Sequence, residues 1–236
     1  MLRRILKIIT EQSEFQIAMQ KSKYFVPKIS YADTYFIRHV DRITQEDYIP
    51  TLQDILVMRQ PSKAIRETLT LIGTTVVRTV DLAEQSHYLH KHLHYFESVD
   101  TVMFIVPLSN RLFSNQPAEA ESELEASVRL FETIVTSPHM LKKDYVVFFN
   151  KLDLLRSEIE EASSDDIASV CEDRVATVVD NWKQRFFAFK HKPDSKDCRM
   201  ISIYVICALD VDQMKSVMRD CLRGIFDLHR KRHVLL

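Results

Sequence analysis

The sequence predicts an α/β fold, a parallel-dominated sheet with helices on both faces. Three observations carry that expectation. After Pro50, short β-branched runs alternate with stretches of helical periodicity. One run, Tyr145-Val146-Val147-Phe148-Phe149, is apolar at every position, as a strand buried on both faces must be. It ends directly on Asn150-Lys151-Leu152-Asp153, a polar tetrad at the carboxyl end of a strand, where folds of this class bind ligands.

Residues 3–24 read as one or two helices, ending before Pro27. Ser30 and Asp33 have capping-box spacing, and Tyr35, Phe36, Val40 and Ile43 follow at helical intervals. Residues 66–72 and 75–81 read as a strand pair about the turn Gly73-Thr74. A helix is expected at about 85–97, a strand at 101–106 and a helix at about 119–136. The strand ending at Asn150 comes next, then a helix at about 164–190, a strand at 200–206 and a last helix at about 211–232.

Composition narrows the classes of function. With 236 residues, 46% of them hydrophobic, the chain can bury one large core, or one plus an appendage. A net charge of −1 leaves no electrostatic footprint for nucleic acid. Cys171, Cys198, Cys207 and Cys221 contain no Cys-x-x-Cys pair, which points to reduced thiols and a cytoplasmic setting rather than a disulfide frame or zinc site. No apolar run approaches the ~20 residues of a transmembrane segment. Met1-Leu2-Arg3-Arg4 is neither a secretory signal nor a myristoylation site, so membrane contact is expected through partners.

The tetrad has the chemistry of a guanine reader. The Asp153 carboxylate can accept two hydrogen bonds, from the base's ring N–H and its exocyclic amine, a pairing adenine cannot supply. The stem of Lys151 can lie along the purine face, and the Asn150 amide can tie neighbouring loops together. Such a tetrad recurs by chance in roughly a few in a hundred chains of this length, so a second strand end is needed beside it. Ile203–Ile206 supplies one by running into Cys207-Ala208, where a small residue admits a flat base and its N–H can donate to guanine O6. A phosphate cradle has no counterpart: the sequence has two glycines, Gly73 and Gly224, and no Gly-x-x-x-x-Gly-Lys-Ser/Thr. His87, His90 and His94 share a helical face, but no carboxylate or cysteine completes a metal site, so the cluster reads as a solvated, pH-sensitive face.

Several stretches together resemble the alpha subunits of heterotrimeric G proteins. They are Tyr35-Phe36 through Asp41-Arg42-Ile43, Asp47-Tyr48-Ile49-Pro50-Thr51, Gln53-Asp54-Ile55-Leu56, Phe96-Glu97 through Pro107-Leu108-Ser109, Asn150–Leu154 and Cys207-Ala208. The resemblance implies a Ras-like P-loop GTPase fold over residues 51–236, with residues 1–50 a remnant of the all-helical inserted domain. It also implies that the fold is incomplete at the N-terminus, lacking the first strand and the phosphate loop. That first strand is central in the family's sheet, and its absence would leave unpaired strand edges.

The residues matched to the family's machinery are mixed. Arg59 matches the arginine, supplied in cis in this family, that stabilises charge on the transferring phosphoryl, and Gln85 the residue that orients the attacking water. Asp81 matches the residue that holds magnesium through water. Lys63 replaces the magnesium-ligating threonine, and an ammonium has no lone pair for a metal. Glu84 replaces a glycine whose backbone approaches the γ-phosphate. The implied cofactors are therefore GTP or GDP, with Mg2+ opposed by Lys63. The implied partners are a G-protein-coupled receptor, contacted by the tail Val234-Leu235-Leu236, a downstream effector, and a beta-gamma dimer whose contacts the His87–His94 substitutions oppose. Two activities follow as expectations: a signal transducer at the inner face of the plasma membrane, weak or inactive as a GTPase, or a non-hydrolysing interaction module or truncated product.

Overall fold

Helices precede strands in the computed structural model, which describes residues 2–18, 31–58, 65–82, 98–108, 123–140, 143–162, 168–190 and 200–234. The chain divides into two compact units, Met1–Leu89 and His90–Leu236.

The first unit contains α1 (Leu2–Thr10) and helical residues 13–18, then α2 (Tyr31–Arg38), α3 (Val40–Ile43) and α4 (Leu52–Val57). The periodicity of Tyr35, Phe36, Val40 and Ile43 predicts one helix, but the helix breaks at His39. The His39 N–H reaches both the Tyr35 and Phe36 carbonyls at 3.2 Å, which tightens the turn between α2 and α3. α4 starts on a full capping box: the Thr51 side chain accepts from the Asp54 N–H, and the Asp54 carboxylate accepts from the Thr51 N–H.

Asp54 is also the centre of a polar lock. Arg42 Nη1 and Nη2 donate to its two carboxylate oxygens at 2.7 and 2.6 Å, and Tyr35 Oη donates at 2.9 Å. The Arg42 guanidinium lies over the Tyr48 ring, 5.7 Å from its centroid. The paired guanidinium holds the buried Asp54 carboxyl far below the usual carboxylate range.

β1 (Arg66–Ile72) and β2 (Thr75–Asp81) form an antiparallel hairpin in register from Arg66↔Asp81 to Ile72↔Thr75, within the bounds the sequence predicts. Gly73 takes the turn with φ +62°, a conformation costly for a residue with Cβ. Most hairpin side chains are exposed, Leu69 and Leu71 at 70% each.

The second unit contains β3 (Thr101–Pro107), α5 (Glu123–Thr136), β4 (Asp144–Asn150), α6 (Leu152–Ala162), α7 (Ala168–Phe187), β5 (Ile201–Val205) and α8 (Val211–Val234). Among the described residues the strands fall into two sheets, the hairpin and a parallel sheet of order β3-β4-β5, where the sequence predicts one. The helix expected at about 164–190 is in fact preceded by α6, a stretch to which the sequence reading assigns no element. Its signal was present: Leu155 and Ile159 are buried four residues apart, behind Asp153 in the first turn. The helix expected at about 85–97 lies outside the described residues.

β4 is the middle strand, buried from Asp144 through Phe149. On one face Tyr145 and Phe149 meet Phe131 of α5 and Phe186 of α7, with ring centroids 5.4 and 5.3 Å apart. On the other, Val146 and Phe148 form a cluster with Ile206 and Cys221, and Met214, Val217, Met218 and Ile225 of α8 pack against it. Covering both faces explains why this strand reads as an unbroken apolar run. Each large side chain buried here contributes about 1.5–3 kcal/mol.

Candidate functional site

The ends of β4 and β5 meet through backbone bonds. The Ile206 N–H donates to the Phe149 carbonyl at 2.8 Å, and the Leu152 N–H donates to the Ile206 carbonyl at 3.3 Å. On the other side, the Leu108 N–H donates to the Asn150 carbonyl at 2.8 Å. Three strand ends are thus fixed around Asn150 before any side chain is considered.

The Asn150 side chain then joins the two loops. Its Oδ1 accepts from the Lys151 N–H at 2.8 Å and from the Ala208 N–H at 2.9 Å, across 58 residues of sequence. This is the tie the tetrad's asparagine predicts. It also engages the Ala208 N–H, which the sequence reading assigns to a base carbonyl. A base oxygen would have to share or displace Asn150 Oδ1 there.

Lys151 makes the turn from β4 into α6 with φ +67°, the only positive φ at a non-glycine residue among the described residues. A lysine held in the left-handed region carries backbone strain of order 1–3 kcal/mol, and such strain collects at ligand sites. The turn sets Asp153 in the first turn of α6, where the helix N-terminus favours a carboxylate. Asp153 is half-buried, whereas Lys151 and Ala208 are exposed. Cys207 lies beside Asp153: burial raises the thiol's pKa, and the adjacent carboxylate raises it further.

Two supporting residues were missed at the sequence level. Asp210 Oδ1 caps α8, accepting from the Asp212 and Gln213 N–H groups at 3.1 and 3.0 Å. Gln213 Oε1 accepts the Cys207 N–H at 2.6 Å and so fixes the β5 loop. The Asp-x-x-Gln spacing before an amphipathic helix was the available signal.

Most of the remaining sequence-predicted residues lie outside the described residues. Asp81 ends β2 in the first unit, exposed. Arg59, Lys63, Glu84, Gln85, His87, His90, His94, Leu235 and Leu236 lie outside the described residues, and Val234 is described only as the last residue of α8. No group of three or more His, Cys, Asp or Glu side chains is placed to hold a metal ion among the described residues. No described helix is long and apolar enough to cross a membrane.

A parallel α/β sheet with an Asn-Lys-x-Asp tetrad at its strand ends defines a class, and comparison with known proteins gives the family. The family model for the G-protein alpha subunit matches residues 2–225, and the chain belongs to that family. It is similar to the guanine nucleotide-binding protein subunit alpha-15 of Mus musculus, with 26% identity over 197 residues. That alignment covers 79% of this chain and 53% of the mouse protein, so the chain spans about half the length of that relative.

Proposed function

We propose that this chain is a guanine nucleotide-binding signal transducer of the G-protein alpha class, with the base held at Asn150, Lys151, Asp153, Cys207 and Ala208. The observation that carries this is the Asn150 Oδ1 bond to the Ala208 N–H, which holds the two base-reading loops together beside Asp153. In this reading residues 51–236 form the GTPase domain and residues 1–50 a helical remnant, and Arg59 and Gln85 are the catalytic pair. Asp81 would hold magnesium through water, and that metal would stabilise charge on the phosphates.

Affinity is expected to be weak. Much of the binding energy for a nucleotide comes from backbone N–H groups around its phosphates and from the metal. With no cradle motif, Lys63 at the magnesium threonine and Glu84 at the close-approach glycine, GTP gains nothing over GDP. Calorimetry of the full chain with GDP, GTP and ADP, with and without magnesium, tests this. The expected result is micromolar or weaker binding of both guanine nucleotides, none of ADP, and no phosphate release from GTP. Sub-micromolar, magnesium-dependent GTP binding would contradict it. Lys63 and Glu84 favour the second reading, an interaction module of the same fold that does not hydrolyse GTP.

Receptor coupling is proposed through α8 and the tail Val234-Leu235-Leu236, with an effector and a beta-gamma dimer as further partners. A peptide of residues 215–236 is expected to bind the intracellular face of an activated G-protein-coupled receptor, and Leu235→Ala with Leu236→Ala to abolish binding. Unchanged binding by the double variant would remove the tail from the account.

A further inference from the structure

One surface is explained neither by the nucleotide site nor by the packing of its own unit. α1 (Leu-Arg-Arg-Ile-Leu-Lys-Ile-Ile-Thr) alternates apolar and basic residues at helical spacing and contains no acidic residue. At about 100° per residue, Ile5, Ile8 and Ile9 fall within an arc of about 100°, and Arg4 borders that arc. The opposite side is the packed one. Leu6 and Thr10 are half-buried there, and Lys7 reaches Asp41 of α3 at 3.7 Å. The isoleucine arc remains in water, with Ile5 45%, Ile8 52% and Ile9 42% exposed, and Ile17 in the next helical stretch is 52% exposed.

Three neighbouring isoleucines left exposed on one short helix are a patch rather than scattered surface residues. The charge around them indicates what covers them. Within α1 the charged residues are Arg3, Arg4 and Lys7, all cationic, in a chain whose net charge is −1. An apolar stripe bordered by cations is the pattern of a helix lying in the headgroup region of a bilayer. We propose that α1 is an interfacial helix that binds an anionic bilayer surface, with Ile5, Ile8 and Ile9 entering the acyl boundary and Arg4 meeting the headgroups. The expectation from sequence placed membrane contact on partners alone; α1 gives this chain a contact of its own.

Sedimentation of the full chain with phosphatidylcholine vesicles, with and without phosphatidylserine, at low and high salt, tests this. The expected result is binding to the serine-lipid vesicles only, weakened by salt. The combined variant Ile5→Ser, Ile8→Ser, Ile9→Ser is expected to lose at least roughly tenfold in binding, with an unchanged melting curve because α1 packs through Leu6. Arg4→Glu, which leaves the apolar arc intact, is expected to weaken binding as well. The proposal is overturned if the chain stays in the supernatant with both vesicles, if it binds neutral vesicles equally, or if the triple variant binds as before. It is equally overturned if the triple variant instead turns a dimer into a monomer without altering sedimentation.

Discussion

In the unit His90–Leu236, β4 is buried on both faces, and its Phe149 is fully buried together with Phe131 and Phe186. In Met1–Leu89 the described buried side chains are Val40, Val57 and one carboxylate, Asp54, while the hairpin stands exposed. The apolar unit is held by area removed from water, which is non-directional and additive over many residues. The other depends on one charge-assisted node, where Arg42, Tyr35 and the Thr51 N–H all converge on a single carboxylate. The loops that carry the tetrad and Ala208 are built on the first kind of support, the Asp54-Ile55-Leu56 segment on the second.

The largest effect that would break this comparison comes from the core. Phe131 is fully buried and touches the rings of Phe104, Tyr145, Phe186 and Phe189. Phe131→Ala is expected to destabilise the second unit by about 3–5 kcal/mol. Hydrogen exchange should speed up across β3, β4 and β5 and stay unchanged in α2 to α4. Equal acceleration in both units would show that they do not stand apart.

A smaller and local effect is expected at the node. Asp54→Ala leaves the Arg42 guanidinium unpaired, and exchange should rise over residues 31–57 while β4 remains protected. The same node sets a pH dependence. Because Arg42 depresses the Asp54 pKa in the folded chain, its stabilisation is complete above the unfolded value of about 3.9 and is lost as pH falls below it. Protection factors, exchange rates corrected for the intrinsic pH dependence, should therefore fall in α2 and α4 below about pH 4 in the wild type, with a smaller change in Asp54→Ala. Identical acid profiles for the two would remove Asp54 from the account.

How much was legible beforehand follows the same division. β1, β2 and β4 were readable because their signals are local: alternation with a glycine turn, and an unbroken apolar run. The break at His39 was not, since it rests on one N–H shared between two carbonyls rather than on any breaker residue. α6 was hidden behind the tetrad, which was read for its chemistry although a helix starts at once after Lys151. At the site, the tying role of Asn150 could be named from sequence. The occupation of the Ala208 N–H could not, because it depends on how two loops 58 residues apart approach each other. The Asp54 node was visible only as part of a family motif; its partners Arg42 and Tyr35 lie 12 and 19 residues away.

The central claim, that Asp153 reads guanine, is tested most directly by exchanging its acceptor for a donor. A carboxylate accepts from the ring N–H and the exocyclic amine of guanine, whereas xanthine presents a carbonyl in place of that amine. Calorimetry of Asp153→Asn with GDP and with xanthosine diphosphate is predicted to show guanine binding reduced by roughly 10–100-fold and xanthine binding increased above that of the wild type. Guanine binding unchanged in Asp153→Asn, with no gain for xanthine, would contradict the assignment of this site.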